Sequence, residues 1–149
     1  MSLKAQIDAD IKDAMRAKEA DRLRALRAIK SLILLEETKE GAGNGLTADE
    51  EIKLLTKAVK QRKDSADIYR QQGREDLLAT EEAEIAVIEK YLPKQLSEDE
   101  LRGKLQDIIT RVGASAPSDM GKVMGVATKE LAGVAEGKAI SALVKQLLQ

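Results

Sequence analysis

The chain has 149 residues, 43% hydrophobic and 34% charged, with a net charge of −1. That length suits one ordinary domain or two small ones, and the near-neutral balance excludes a global basic field that would draw it to nucleic acid or membrane. It has no cysteine and no histidine, which excludes disulfides, thiolate metal sites, a Cys nucleophile and the commonest general base.

The first helix is expected to start at Ser2 as N-cap, with Leu3, Ile7, Ile11 and Met15 as its apolar stripe. A break near Lys18 to Asp21 precedes a second helix capped by Asp21. Its later half, with Ile29, Leu32, Ile33, Leu34 and Leu35, is apolar almost all round, which predicts a central helix covered on several sides. Gly41 to Gly45 reads as a loop. Thr47-Ala-Asp-Glu50 is a capping box that opens a long third helix ending at Gly73. A fourth helix runs from about Glu75 to Lys90.

Leu92-Pro93-Lys94 is the expected boundary, because proline disfavours helix in the residue before it. A second capping box, Ser97-Glu-Asp-Glu100, opens the rest of the chain. Leu101, Leu105, Ile108 and Val112 line one short helix, Met120, Val123, Met124, Ala127 and Leu131 a second, and Ile140, Leu143, Val144 and Leu147 a third. No period-2 strand is evident. The predicted fold is all-α: an N-terminal four-helix domain, residues 1–92, followed by a C-terminal three-helix bundle, residues 93–149.

Arg62 breaks the apolar face of the third helix, where a guanidinium needs a carboxylate. Glu81, Glu82 and Glu84 on the fourth helix and Glu36 and Glu37 on the second could supply it. A buried ion pair of Arg62 with Glu81 or Glu84 is preferred to an arginine aimed at a phosphate. Lys60, Lys63 and Arg70, with Lys57, could follow a phosphate backbone, but Asp64 and Asp67 interrupt them, and a merely solvated face is the plainer reading. Lys122 and Lys129 share one face of the second short helix, and Lys138 and Lys145 one face of the third. Gly121 and Gly125 beside the first pair cost about 2 kcal/mol relative to alanine, so a close approach is expected there. It is either the third short helix crossing or an RNA backbone, and both readings stay open.

Gly133-Val-Ala-Glu-Gly137-Lys138 is one residue short of a phosphate-binding loop and follows no strand, so no nucleotide site is expected. The acids Glu81, Glu82 and Glu84 lack the histidine of a di-metal bundle. No metal, cofactor or catalytic residue is therefore assigned. The N-terminus carries charges where a secretory signal needs an apolar run, and the apolar run Leu32–Leu35 is far too short to span a bilayer. The chain is expected to be cytoplasmic and not membrane-bound.

Arg24-Ala-Leu-Arg27, Lys60-Gln-Arg-Lys-Asp-Ser65 with Tyr69 and Gly73-Arg74, Glu81 to Ile85, Tyr91-Leu-Pro93, Asp119-Met-Gly-Lys-Val-Met124 and Gly137-Lys138 together resemble the GatB/YqeY family. The match covers nearly the whole chain, so it resembles a stand-alone YqeY-like member. In the related GatB subunit of the glutamine-dependent tRNA amidotransferase, this region is a C-terminal appendage that holds tRNA while catalysis occurs elsewhere. Some glutaminyl-tRNA synthetases carry a similar module. The resemblance implies a non-catalytic tRNA-binding accessory module, with Gly121, Lys122, Lys129, Lys138 and Lys145 as leading contacts and the Lys60, Lys63 and Arg70 face second. The alternative is a protein–protein adaptor docking on an aminoacyl-tRNA synthetase or amidotransferase. A carbon–nitrogen ligase using glutamine as amido donor is less favoured, because no nucleophile stands paired with a base. Where the family often has Gly-x-Ala-Asp-Gly, this chain has Gly133-Val-Ala-Glu-Gly137, with an acid one carbon longer.

Overall fold

A computed structural model of the chain describes residues 2–39 and 45–149. Among these it is all-helical: α1 (Leu3–Ala17), α2 (Ala20–Glu37), α3 (Ala48–Gln71), α4 (Glu75–Glu89), α5 (Glu98–Val112), α6 (Met120–Glu130) and α7 (Gly137–Leu147), with no strand. The Gly41–Gly45 loop expected from composition lies outside the described residues except for Gly45 itself. Two compact units divide the chain, Met1–Leu92 and Pro93–Gln149.

Side-chain capping sets the starts of α1, α3 and α5. Ser2 Oγ accepts the Ala5 amide at 3.2 Å, and Glu51 Oε2, arriving from α3, accepts the Leu3 amide at 2.8 Å. At α3 the Thr47 hydroxyl accepts from Glu50 N at 3.2 Å while Glu50 accepts from Thr47 N at 2.8 Å. Ser97 and Glu100 repeat the reciprocal pair at α5, at 3.2 and 3.1 Å. Each box satisfies two amides that the helix itself leaves open.

In the first unit α2 packs on α1, α3 and α4, and α3 on α4. Ile7, Leu26, Ile29, Ile33, Leu55 and Ile88 are almost wholly buried between them. Three expectations about this unit are corrected. Asp21 does not cap α2; Glu19 takes the cap position without a side-chain bond, and Asp21 lies in the first turn, 2.6 Å from Arg24. The preceding turn is closed by backbone instead, with Lys18 left-handed at φ 57° and Glu19 N donating to Ala14 O. Met15 is 54% exposed and Ala14 takes its place in the core. Nor is α2 covered all round: Leu34 and Leu35 are 43% and 60% exposed. Its inward side, Leu26, Ile29 and Ile33, meets the other helices, and adjacent residues 34 and 35 fall on the flank those helices do not reach.

The second unit closes on Leu105, Ile108, Val123, Ile140 and Val144, contributed by three helices that pack pairwise. Gly113 ends α5 at φ 71°, a conformation that favours glycine. The segment after Pro93 is fastened to the α6–α7 connection: Leu96 N donates to Val134 O at 2.9 Å, and Gln95 Nε2 to Gly133 O at 2.7 Å.

Candidate nucleic-acid interface

Helix α6 is presented by a short, tightly bonded entry. The Asp119 carboxylate accepts the Ser115 and Ala116 amides at 2.9 and 3.2 Å, and Pro117–Asp119 makes a single 3₁₀ turn into the helix. Those amides, with Lys122 adding a smaller share, hold the Asp119 carboxyl below the ordinary carboxylate range. From there the side chains divide cleanly. Val123 and Ala127 are fully buried, with Met120, Met124 and Val126 packed beside them. Gly121, Lys122, Gly125 and Lys129 are all exposed, and helical geometry places them within about 100° of one another on the opposite side.

A Cβ added at Gly121 or Gly125 would meet nothing within 4 Å. The crossing of α7 that would have explained these glycines is therefore absent, since α7 packs on the other side of α6 through Ile140, Leu143 and Val144. Among the described residues no carboxylate lies within 4 Å of Lys122 or Lys129. Glu130, the acid nearest in sequence to Lys129, is occupied by Arg111, whose Nη2 stands 3.0 Å from Oε2 and whose Nη1 contacts Oε1. That guanidinium holds the Glu130 carboxyl below its usual range. Lys138 and Lys145 are exposed on α7, away from its buried side. Helices α6 and α7, with their connection, hold four lysines against Glu130 and Glu136. Glu136 is the N-cap residue of α7 but makes no capping hydrogen bond, consistent with its extra methylene.

The Lys60, Lys63 and Arg70 set is not brought together as one surface. Lys63 turns to Glu89 on α4 at 3.6 Å, and Arg70 is held by Asp67 at 2.8 Å and Glu82 at 3.4 Å. Lys60 stays exposed, and the residues that share its outward direction are Lys57 and Lys53. Lys53 was missed in the sequence; its signal was the 53, 57, 60 spacing, one helical face.

Arg62 sits against Glu84, Nε to Oε2 at 3.0 Å, and its Nη1 donates to Ala58 O at 3.1 Å. The other carboxylate oxygen of Glu84 takes Arg24 Nε at 3.1 Å. One carboxylate thus joins α2, α3 and α4. Arg24 was not anticipated as a partner. Glu81 forms no ion pair among the described residues; burial first, then the charge of Glu84, pushes its carboxyl above the ordinary range, against a smaller opposite effect of Arg62. Glu36 pairs with Lys39 and Glu37 with Lys4 instead.

Among the described residues no three His, Cys, Asp or Glu side chains are arranged to hold a metal ion. No helix there is long and apolar enough to cross a membrane.

Several curated relatives are named altered inheritance of mitochondria protein 41, mitochondrial. The Clavispora lusitaniae protein is 35% identical over 116 residues, 76% of this chain and 66% of its own. The Lachancea thermotolerans protein is 35% identical over 118 residues, 76% and 62% of the two chains. A Saccharomyces cerevisiae protein is 32% identical over 123 residues, 78% and 65%. The chain thus spans a little under two thirds of the length of these relatives. Their names overturn the cytoplasmic expectation. The expectation rested on the missing apolar run alone, and organellar transit segments are amphipathic and cationic rather than apolar, so that criterion does not distinguish the cytoplasm from an organelle. The family model described as Yqey-like protein matches residues 4–148, and the chain belongs to that family.

Proposed function

We infer that this chain, a four-helix part followed by a three-helix part, is a non-catalytic accessory module that holds tRNA through its second unit. The observation that carries this reading is the α6 face of Gly121, Lys122, Gly125 and Lys129, opposite the core. Two glycines in α6, Gly121 in its first turn and Gly125 in its interior, have nothing packed on them and cost the fold stability without an internal return. Their use is to let a ligand approach the helix backbone, and the flanking ammonium groups suit phosphates as that ligand. Shape and phosphate recognition fits folded RNA, and a chain with two tyrosines and no other aromatic offers few surfaces for stacking bases. Family membership supports the same reading, because the GatB region this chain resembles holds tRNA for catalysis performed by other domains. The absence of cysteine and histidine favours a non-catalytic role.

The test is anisotropy of labelled tRNA titrated with the full chain at several salt concentrations, with duplex DNA as competitor. Binding that weakens with salt, resists DNA and is lost in Lys122→Glu/Lys129→Glu supports the module. Binding unaffected by that double substitution removes the α6 face from the interface. Capture of an aminoacyl-tRNA synthetase or amidotransferase that survives it, with no RNA binding at low salt, replaces the reading by a protein adaptor.

A further inference from the structure

We propose that the outward face of the first half of α3 is a second RNA-phosphate track, carried by Lys53, Lys57 and Lys60. The proposal rests on the RNA-binding reading above but concerns a different surface in the other unit. Positions 53, 57 and 60 lie within about 60° around the helix axis and span about 10 Å along it. All three are exposed, and none has a carboxylate within 4 Å among the described residues. From Ile52 to Lys63 the sequence holds five cations and no acid. The two other cations of that stretch are committed inward or sideways, Arg62 to Glu84 and Lys63 to Glu89. The three that remain are the ones free to meet a ligand.

The neighbouring acids limit the track without neutralising it. Glu50 is used by the Thr47 cap and Glu51 by the Leu3 amide, while Asp67 is held by Arg70. Asp49 and Asp64 bound it at either end. The apolar residues between the lysines, Leu54, Leu55, Ala58 and Val59, are buried in the core. The face therefore has no apolar wedge to sink into a bilayer, which a membrane-lying helix needs. A row of ammonium groups on a rigid helix, without apolar surface, matches a row of phosphates.

The experiment measures labelled tRNA binding by the full chain against salt for Lys53→Gln/Lys57→Gln/Lys60→Gln, Lys122→Glu/Lys129→Glu and Arg70→Gln. Loss of three phosphate contacts should flatten the slope of log K on log salt by roughly 2 to 3, with affinity at low salt falling about tenfold or more and helicity unchanged. Arg70→Gln, which removes a cation already paired, should leave the slope alone. An unchanged slope in the α3 variant, beside a loss in the α6 variant, overturns this proposal and keeps the α6 interface. Loss in the α3 variant with none in the α6 variant supports this track and overturns the α6 assignment. An equal loss in Arg70→Gln overturns it as a general charge effect. Binding to phosphatidylserine vesicles that only the α3 variant loses, with tRNA binding intact, overturns it in favour of a membrane surface. No tRNA binding by the unsubstituted chain overturns both readings.

Discussion

Arg62 and Glu84, 22 residues apart in sequence, meet at 3.0 Å with side chains only 15% and 11% exposed. The pair is more than a register pin between two helices. Glu84 also holds Arg24 from α2, 60 residues away, so a single carboxylate ties three elements of the first unit. Removing one member leaves the others with uncompensated charge in a poorly hydrated setting, which costs more than the pair contributes net.

Glu84→Ala is therefore expected to destabilise the first unit by about 3 kcal/mol, measured by urea unfolding. Arg24→Ala should cost under about 1 kcal/mol, because that guanidinium is half-exposed and keeps water as an alternative. The volume-matched double replacement Arg62→Met/Glu84→Leu should lie near wild type. Equal losses for Glu84→Ala and Arg24→Ala would contradict the hierarchy.

Gly125→Ala should stabilise the free protein by about 1 kcal/mol, and Gly121→Ala, in the first turn of α6, by less, since the added methyl meets nothing at either. The same substitutions should weaken tRNA binding, because the methyl stands where a backbone is proposed to approach. Gly103, equally bare but on α5 rather than α6, is the control: Gly103→Ala should stabilise and leave binding untouched. Thermal melts and anisotropy on the same samples check both halves.

Glu81 gives a pH dependence of opposite sign to the usual carboxylate. Its folded pKa lies above the unfolded value, so the native state binds more protons across that interval and stability falls as pH rises through it. At neutral pH the ionised group burdens the fold, and Glu81→Gln should raise the melting temperature. The gain should shrink as acid protonates Glu81 in both states. A gain that persists unchanged at pH 3 would point to packing rather than charge.

Tyr91 lies one residue before the end of the first unit, and its hydroxyl donates to Asp10 on α1, which Arg22 of α2 also approaches at 3.8 Å. Burial, and then the Asp10 carboxylate, raise the phenol above its ordinary range. The bond is complete below the unfolded phenol pKa and its contribution falls away as pH rises toward the folded one. Tyr91→Phe should cost roughly 1 to 2 kcal/mol at pH 7, and an ultraviolet titration should show a phenol ionising above the ordinary range that is lost in Tyr91→Phe. The absence of any such delayed phenol would remove the link.

The residues differ in how much their neighbours in sequence could say about them. Thr47 with Glu50 and Ser97 with Glu100 are local devices whose partners lie three residues away, so the sequence by itself determined where α3 and α5 begin. The periodic apolar residues of α3, α5, α6 and α7 likewise determined a helical fold and most of its core, because a helix face is fixed by spacing alone. The lysine and glycine face of α6 was visible for the same reason.

What surrounds a face is another matter. Spacing could not tell whether a neighbour covers Gly121 and Gly125, or whether Leu34 and Leu35 are enclosed. It also left several acids open to Arg62, and did not raise Arg24 as a partner of Glu84. Each of these depends on the packing of elements distant in the chain, and only the tertiary structure decided them. Helix propensity and capping energies act within a few residues, whereas burial and ion pairing depend on which helices meet, over separations of 22 and 60 residues here.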